Sequence, residues 1–324
     1  MQGMIKAKAI ALLENGTVDR VLGWKTGEFF YDLTPAVFTT REEIEKDFVY
    51  SVFSAANMSK YLIAESCKGG KIAAFLKPCD SYSFVQLLKE HRIIRKNVYV
   101  VGVQCNGMCD IEKIKDSGCV GVTSVVEDGD RLNVETLYGE TFLSKKDVLL
   151  ERCAVCKSHR IVAFDELIGE QGEEEETRRF EKVSELEAMS PEERYAFWRG
   201  ELSLCIRCNA CRNVCPACSC EKCVFDNPAS GVQNKAAADS FEENMFHIIR
   251  AFHVASRCTD CGECSRVCPQ RIPLHLLNRK FIKDINELYG DYQAGADMDT
   301  RPPLMDFTKA DCEPSVIYER GGVK

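Results

Sequence analysis

The sequence predicts an α/β N-terminal half followed by a mostly α-helical half that holds metal clusters. Three observations predict it. Strand, helix and strand alternate between Lys71 and Val103, the pattern of layered α/β folds with some parallel pairing. Apolar residues recur at helical spacing from Phe241 to Ser256. Two cysteine runs of identical spacing, C-x2-C-x2-C-x3-C-P, lie in the second half.

The chain has 324 residues, room for two domains. Its net charge of −8 and pI near 5.4 argue against nucleic acid, which asks for a basic patch. Nineteen cysteines would mean disulfides in a secreted protein. Here they fall in metal-ligand spacings, and the expected compartment is a reducing cytoplasm. The start carries only a short apolar stretch, Ala9 to Leu13, before Glu14-Asn15-Gly16, which reads as strand and turn and not as a secretion signal. No run of 18 apolar residues exists, so no membrane-spanning helix is expected.

In chain order, residues 5–24 read as a hairpin around Asn15-Gly16. Thr40 with Glu43 reads as an N-cap and capping box, opening a helical stretch towards Ser51–Lys68. Lys71–Leu76 is a short apolar strand, and Asp80 can cap a helix through Phe84, Leu87 and Leu88. Asn97–Val103 is Val-rich, as strands buried on both faces are. Val120–Tyr138 is a hairpin turning at Asp128-Gly129. Cys105 and Cys109 follow the Val-rich strand, and strand ends carry sites in α/β folds. With Cys153 and Cys156 they supply four thiolates, enough for one 4Fe–4S cluster; the competing reading is buried free thiols.

Gly169 to Glu176 marks a boundary. The expected division is a first domain over 1–170, an acidic linker over 171–195, a helical two-cluster domain over 196–288 and a tail over 289–324 that contacts a partner. Glu173 to Glu176 reads as a solvated spacer. Ser190-Pro191 opens a helix by the Ser-cap and Pro-at-N1 rule. His247 and His253 are given no role.

The two runs are Cys205, Cys208, Cys211, Cys215 and Cys258, Cys261, Cys264, Cys268, each followed by proline. This spacing wraps 4Fe–4S clusters, with the fourth cysteine of each run serving the other cluster. The expected sets are therefore Cys205, Cys208, Cys211 with Cys268, and Cys258, Cys261, Cys264 with Cys215. A pair of zinc sites is the competing reading, and the trailing x3-C-P suits it poorly. Cys218, Cys220 and Cys223 follow the first run at once and suggest a further metal site. Its fourth ligand would be Cys67, Cys79, Cys119, Cys312 or a partner's residue; alternatively one of the three replaces Cys215.

Asn57-Met58-Ser59-Lys60-Tyr61-Leu62, Leu76-Lys77-Pro78-Cys79-Asp80, Gly102-Val103-Gln104-Cys105 and Cys153-Ala154-Val155-Cys156, in that order, resemble the β subunits of deazaflavin-reducing hydrogenases and formate dehydrogenases. This covers about residues 1–170. Residues 195–285 are similar to the helical two-cluster domain of heterodisulfide reductase C subunits and succinate dehydrogenase iron–sulfur subunits. The first resemblance implies FAD beside a 4Fe–4S cluster, with Asn57, Ser59, Lys60, Lys77, Cys79 and Asp80 as cofactor-binding candidates and Cys79 and Lys77 as the catalytic ones. No G-x-G-x-x-G follows a strand, so the residues alone do not show FAD. On their own, Lys60 and Lys77 read as solvated, Cys79 as a buried thiol and Asp80 as a cap.

The function expected is that of a cytoplasmic iron–sulfur flavoprotein subunit, an oxidoreductase of anaerobic metabolism. It would exchange hydride between FAD and a diffusible carrier, deazaflavin or NAD(P)H, and relay single electrons to a hydrogenase, formate dehydrogenase or heterodisulfide-reductase-like partner. The alternative is a flavin-free electron-transfer subunit.

Overall fold

A computed structural model describes residues 1–174, 177–227 and 240–305. Helix α1 (Gln2–Glu14) opens the chain. The hairpin expected there is not formed. Residues 2–14 are rich in Ala, Leu and Lys, strong helix formers, and Ile5, Ala9 and Leu12 fall at helical spacing and are buried. Asn15 and Gly16, expected as a hairpin turn, instead end the helix, with Gly16 at φ 71°.

Strand β1 (Arg20–Thr26) pairs antiparallel with β2 (Leu33–Phe38) and parallel with β3 (Ile72–Leu76). β3 pairs parallel with β4 (Val98–Val103), and β4 with β8 (Glu166–Ile168). The sheet order is β2-β1-β3-β4-β8. All of β3 is buried, as is β4 apart from Tyr99, which suits central parallel strands. Helix α2 (Arg41–Asp47) has the Thr40–Glu43 capping box but stops at Phe48. There the run Phe48-Val49-Tyr50 turns extended: Phe48 bridges to Lys25, and the Val49 N–H donates to Trp24 O. The helix expected over 51–68 is confined to α3 (Leu62–Glu65) and a 3-10 turn before it.

Helix α4 (Pro78–Lys89) packs on the sheet, with Asp80 at its third position accepting from the Lys77 N–H at 3.0 Å. Helix α5 (Ile111–Asp116) precedes a separate antiparallel sheet of β5 (Val122–Asp128), β6 (Arg131–Thr136) and β7 (Gly139–Ser144). The hairpin is as expected; β7 is an added strand. Helix α6 (Glu151–Ala154) carries the CxxC pair's first cysteine.

The second half is helical among the described residues: α7 (Glu181–Ala188), α8 (Pro191–Ser203), α9 (Ala210–Val214), α10 (Ser240–His253), α11 (Glu263–Arg266) and α12 (Leu274–Tyr289). Ser190 forms the expected capping box with Glu193, and Pro191 is at N1. The stretch read as an acidic linker holds α7, whose Val183 and Leu186 pack against Leu276 of α12. Glu173 and Glu174 are exposed, as a solvated spacer would be, and Glu174 also accepts from the Tyr82 hydroxyl at 3.1 Å; residues 175–176 lie outside the described ones. In the segment read as a loose tail, Tyr292 and Ala294 are buried, and the Tyr292 hydroxyl donates to Ser256 O at 2.8 Å. Residues 306–324, with Cys312, lie outside the described ones. No described helix is long and apolar enough to cross a membrane.

Candidate metal centres

β3 and β4 run parallel, so both deliver their carboxyl ends to one edge of the sheet, where sites gather in such folds. Cys79 sits in the first turn of α4 just beyond β3, and Cys105 two residues beyond β4. Cys153 ends α6 one residue early, and Cys156 follows in the turn behind it. These four thiols line one cavity of about 50 Å³. A water needs about 10–15 Å³, and organic ligands on the order of 300–1,000 Å³. The cavity thus suits a compact inorganic group. Burial pushes the Cys79 thiol well up, Cys105 to about 12, and Cys156 up. Such thiols ionise readily only beside a cation, as metal ligation supplies.

The expected fourth member, Cys109, is not on that cavity. Its N–H donates to Val52 O at 2.8 Å, it bridges to Leu149, and it lines a neighbouring open cleft. Gly107 lets the chain make this turn at φ 90°; a Cβ there would meet Leu149 at 2.7 Å.

The residues named for FAD are mostly engaged with one another. Asn57 Nδ2 donates to Ser83 Oγ at 3.1 Å, the Ser59 N–H to Asn57 Oδ1 at 3.0 Å, and Ser59 Oγ to Asp80 O at 2.5 Å. Lys77 Nζ donates to Asp80 Oδ2 at 2.9 Å and to Ala56 O at 3.0 Å, and lies 4.7 Å over the Trp24 ring. Lys60 Nζ reaches away, to Cys218 O. Of the six, Lys77 and Cys79 border the thiol cavity, while Asn57, Ser59 and Asp80 are buried. This network forms the wall behind the thiol cavity, with the polar groups of Asn57, Ser59 and Asp80 bonded to their protein neighbours.

In the second half the two cysteine loops have the same backbone course. Arg207 and Asn209 flank Cys208 at φ 55° and 62°; Asp260 and Gly262 flank Cys261 at φ 59° and 64°. Three of these four are not glycine, and left-handed backbone of that kind costs about 1–3 kcal/mol per residue. Cys205, Cys208 and Cys211 line a cavity of about 20 Å³ together with Cys268. Cys215 instead acts electrostatically on Cys258, Cys261 and Cys264. Cys268 thus lies with the first three cysteines of the first run, and Cys215 lies near those of the second. Burial pushes Cys211 to about 12 and raises Cys258, Cys261 and Cys264. A hydrogen bond from the Cys218 thiol holds Cys215 low and Cys218 high.

The three thiol groups adjoin. Cys261 lines the N-terminal cavity as well as belonging to the second run. Arg152, also on that cavity, donates to Cys261 O and to Glu263 Oε1, the latter at 2.5 Å. Two neighbours given no role by the sequence touch the cysteines. His247 Nε2 lies 3.2 Å from Cys205 Sγ, and Asn278 Nδ2 lies 3.7 Å from Cys264 Sγ. Burial, with Arg250 and Arg207 nearby, lowers His247 to about 3, so it is a neutral ring. A lone histidine on an apolar face gave no signal in sequence.

Cys218, Cys220 and Cys223 have separate surroundings: Cys218 beside Cys215, Cys220 exposed, and Cys223 against the core of Phe225 and Phe246. Cys67 is exposed and Cys119 is buried in the N-terminal core. Among the described residues, no three His, Cys, Asp or Glu gather tightly enough for a single metal ion.

A mixed α/β half precedes two four-cysteine loops of like backbone course, and iron–sulfur binding is the class of function these loops define. The model of the 4Fe–4S dicluster domain family matches residues 201–272. Over nearly its whole length the chain is similar to the F420-dependent formate dehydrogenase subunit beta of Methanocaldococcus jannaschii, with 26% identity covering 95% of each chain. F420-dependent formate dehydrogenase 1 subunit beta of Methanococcus maripaludis is 27% identical, over 94% of this chain and 92% of that one. The likeness to formate dehydrogenase β subunits read from short motifs is thus borne out, and these relatives are oxidoreductase subunits. A solved structure of the F420-reducing [NiFe] hydrogenase complex from Methanosarcina barkeri is 18% identical, with a TM-score of 0.39 over 48% of this chain and 58% of that one.

Proposed function

We propose that this chain is the electron-relaying, β-type subunit of a multi-subunit oxidoreductase and holds three 4Fe–4S clusters. The N-terminal cluster rests on Cys79, Cys105, Cys153 and Cys156; the next on Cys258, Cys261, Cys264 and Cys215; the last on Cys205, Cys208, Cys211 and Cys268. The observation that carries this reading is the shared wall: Cys261 borders the N-terminal cavity while belonging to the second set. Lys77, paired with Asp80, borders the N-terminal set and acts to lower the Cys105 thiol that burial raises, while Asp80 acts against it at Cys79. A boundary near 170, after β8, with α7 and α8 counted in the helical half, fits this division of labour.

The diffusible carrier is a deazaflavin, since the relatives that match along the whole chain are F420-dependent; NAD(P)H is the second candidate. A deazaflavin exchanges hydride and clusters exchange single electrons, and a flavin supplies that conversion when bound. Room for FAD exists in the open cleft of about 560 Å³ bordered by Tyr31, Phe53, Arg152, Lys182 and Arg266, not among Asn57, Ser59 and Asp80. The other half-reaction, with formate or hydrogen, belongs to a partner subunit.

The internally bonded state of Asn57, Ser59 and Asp80 favours a second reading, a flavin-free relay. One experiment separates the two and tests both. Anaerobically purified protein is counted for iron, labile sulfide and acid-released flavin. Twelve irons with flavin and F420 reduction support the first reading; the same iron without flavin supports the second. Zinc without labile sulfide overturns both.

A further inference from the structure

Arg250 of α10 is among the largest fully buried side chains of the protein. Among the described residues, none of its three guanidinium nitrogens meets an oxygen or nitrogen acceptor, and the Cys264 thiol is the neighbour it reaches. The other deeply buried arginines are paired: Arg152 with Glu263, and Arg279 with Asp260 and Glu151. Arg250 pairs with no carboxylate among the described residues. The groups its charge acts on most strongly are the thiols of Cys264, Cys211, Cys215 and Cys218. Cys211 belongs to one ferredoxin-type set, Cys264 and Cys215 to the other, so the guanidinium lies where the two sets meet.

A buried charge without a counter-ion is strongly destabilising, and an arginine cannot shed its proton to escape. Among the described residues, the groups able to balance it are the thiolates of these cysteines and whatever they ligate. A 4Fe–4S cluster on four thiolates is an anion in both oxidation states and gains one further negative charge on reduction. Donors and positive charge near the sulfurs favour the reduced form.

Resting on the three-cluster reading above, we propose that Arg250 is a shared electrostatic positioning residue, bonded to the sulfurs of both ferredoxin-type clusters and raising the reduction potential of each. Each cluster takes up one electron, and no covalent bond forms or breaks. Because one cation serves both, it brings the two potentials into the same range. His247 on Cys205 and Asn278 on Cys264 each serve one set alone, which leaves Arg250 as the common element.

The test is an EPR-monitored redox titration of the full chain as wild type, Arg250→Gln, Arg250→Met and Arg250→Lys, with iron and sulfide counts for each. In the Gln and Met variants both ferredoxin-type clusters are expected to become at least tenfold harder to reduce, a shift of 59 mV to the negative per one-electron couple. The Lys variant keeps the charge and is expected to fall between these and the wild type. The N-terminal cluster, away from Arg250, is expected to hold its potential. Unmoved potentials in loaded Gln or Met variants would overturn the inference, as would a shift confined to one ferredoxin-type cluster. If only the Lys variant assembles clusters, its shift decides: a fall in both potentials supports the inference, and none overturns it. Assembly failure in all three beside a loaded wild type would show a role in folding alone and also overturn it. A wild type without clusters would instead sink the three-cluster reading, a result distinct from these.

Discussion

The Arg152 guanidinium of the α/β half is clamped on Glu263 of the helical half, with 2.5 Å between Nη1 and Oε1 and Glu263 wholly buried. The same guanidinium donates to Ala55 O at 2.6 Å, so one side chain ties three segments around the N-terminal thiol cavity. Burial disfavours the Glu263 carboxylate, yet Arg152 and Arg266 outweigh it and hold the group down near 2. Glu263→Gln would leave Arg152 buried beside a neutral amide. Removing one partner of such a pair costs about 3–5 kcal/mol. Urea unfolding of the anaerobic holoprotein should show that loss, and Arg266→Ala, at the more exposed neighbour, should cost much less. Equal losses would mean the clamp is not where the two halves are held.

The second prediction concerns which cysteine completes the N-terminal set. Cys79 lines the cavity with Cys105, Cys153 and Cys156, whereas Cys109 faces the adjoining cleft. Cys79→Ser should therefore remove one cluster's share of iron and sulfide while leaving both ferredoxin-type signals in EPR. Cys109→Ser should retain all three. A Cys109→Ser protein short of one cluster, with Cys79→Ser fully loaded, would return the site to the set that sequence spacing favours.

That exchange of Cys109 for Cys79 shows where the sequence is legible and where it is not. The two C-x2-C-x2-C-x3-C-P runs were legible because a local loop must place three thiols at fixed spacing, and the left-handed residues on either side of Cys208 and Cys261 follow from it. β3 and β4 were legible because strands buried on both faces are apolar throughout. The cysteines of the N-terminal cavity come from separate elements, and proximity along the chain favoured Cys109, which lines the adjoining cleft, over Cys79, which lines the cavity. Helix α10 was legible as a helix but not in its facing. Its periodicity named Phe241, Met245, Ile248, Ile249 and Phe252; Ile249 packs on the core, but Ile248 and Phe252 are exposed at 41% and 61%, while Phe246, His247 and Arg250 are buried. A helix packed against metal-binding loops hides polar donors, which a hydrophobic pattern cannot register. α1 was misread because Asn15-Gly16 also suits a hairpin turn, which outweighed the helix formers before it and the helical spacing of Ile5, Ala9 and Leu12.

Removing the iron should unfold one half before the other. The helical core is small, and Cys211 and Cys264 are members of it beside Leu202, Phe225, Phe246, Ile272 and Leu274. Without metal, these thiols and the charge of Arg250 lose their compensation. The sheet of the first half has its own large core around Trp24, Phe48 and Phe75. Stripping iron with an oxidant and chelator should abolish hydrogen-exchange protection in α10 and α12 while β3 and β4 stay protected, as metal-coupled folding requires. Uniform loss of protection, or none, would contradict this.

The chain after α12 offers a last test, because its seat depends on one glycine. Gly295 has φ +73°, and a Cβ there would stand 1.9 Å from the backbone oxygen of Tyr82 in α4. Tyr292 and Ala294 are buried beside it. Gly290 has φ +86° but nothing within 4 Å of its would-be Cβ. Alanine at either position meets the same backbone strain, about 1–3 kcal/mol for a residue held in that region. Only at position 295 does it also collide with rigid helix backbone, so Gly295→Ala must lift the segment off α4 or distort the helix. Gly295→Ala should thus lower the urea midpoint clearly more than Gly290→Ala and expose Tyr292 to solvent, read by its fluorescence quenching. Equal midpoints would mean that residues 291–296 do not lie against α4 in solution, and that this stretch is free for a partner subunit after all.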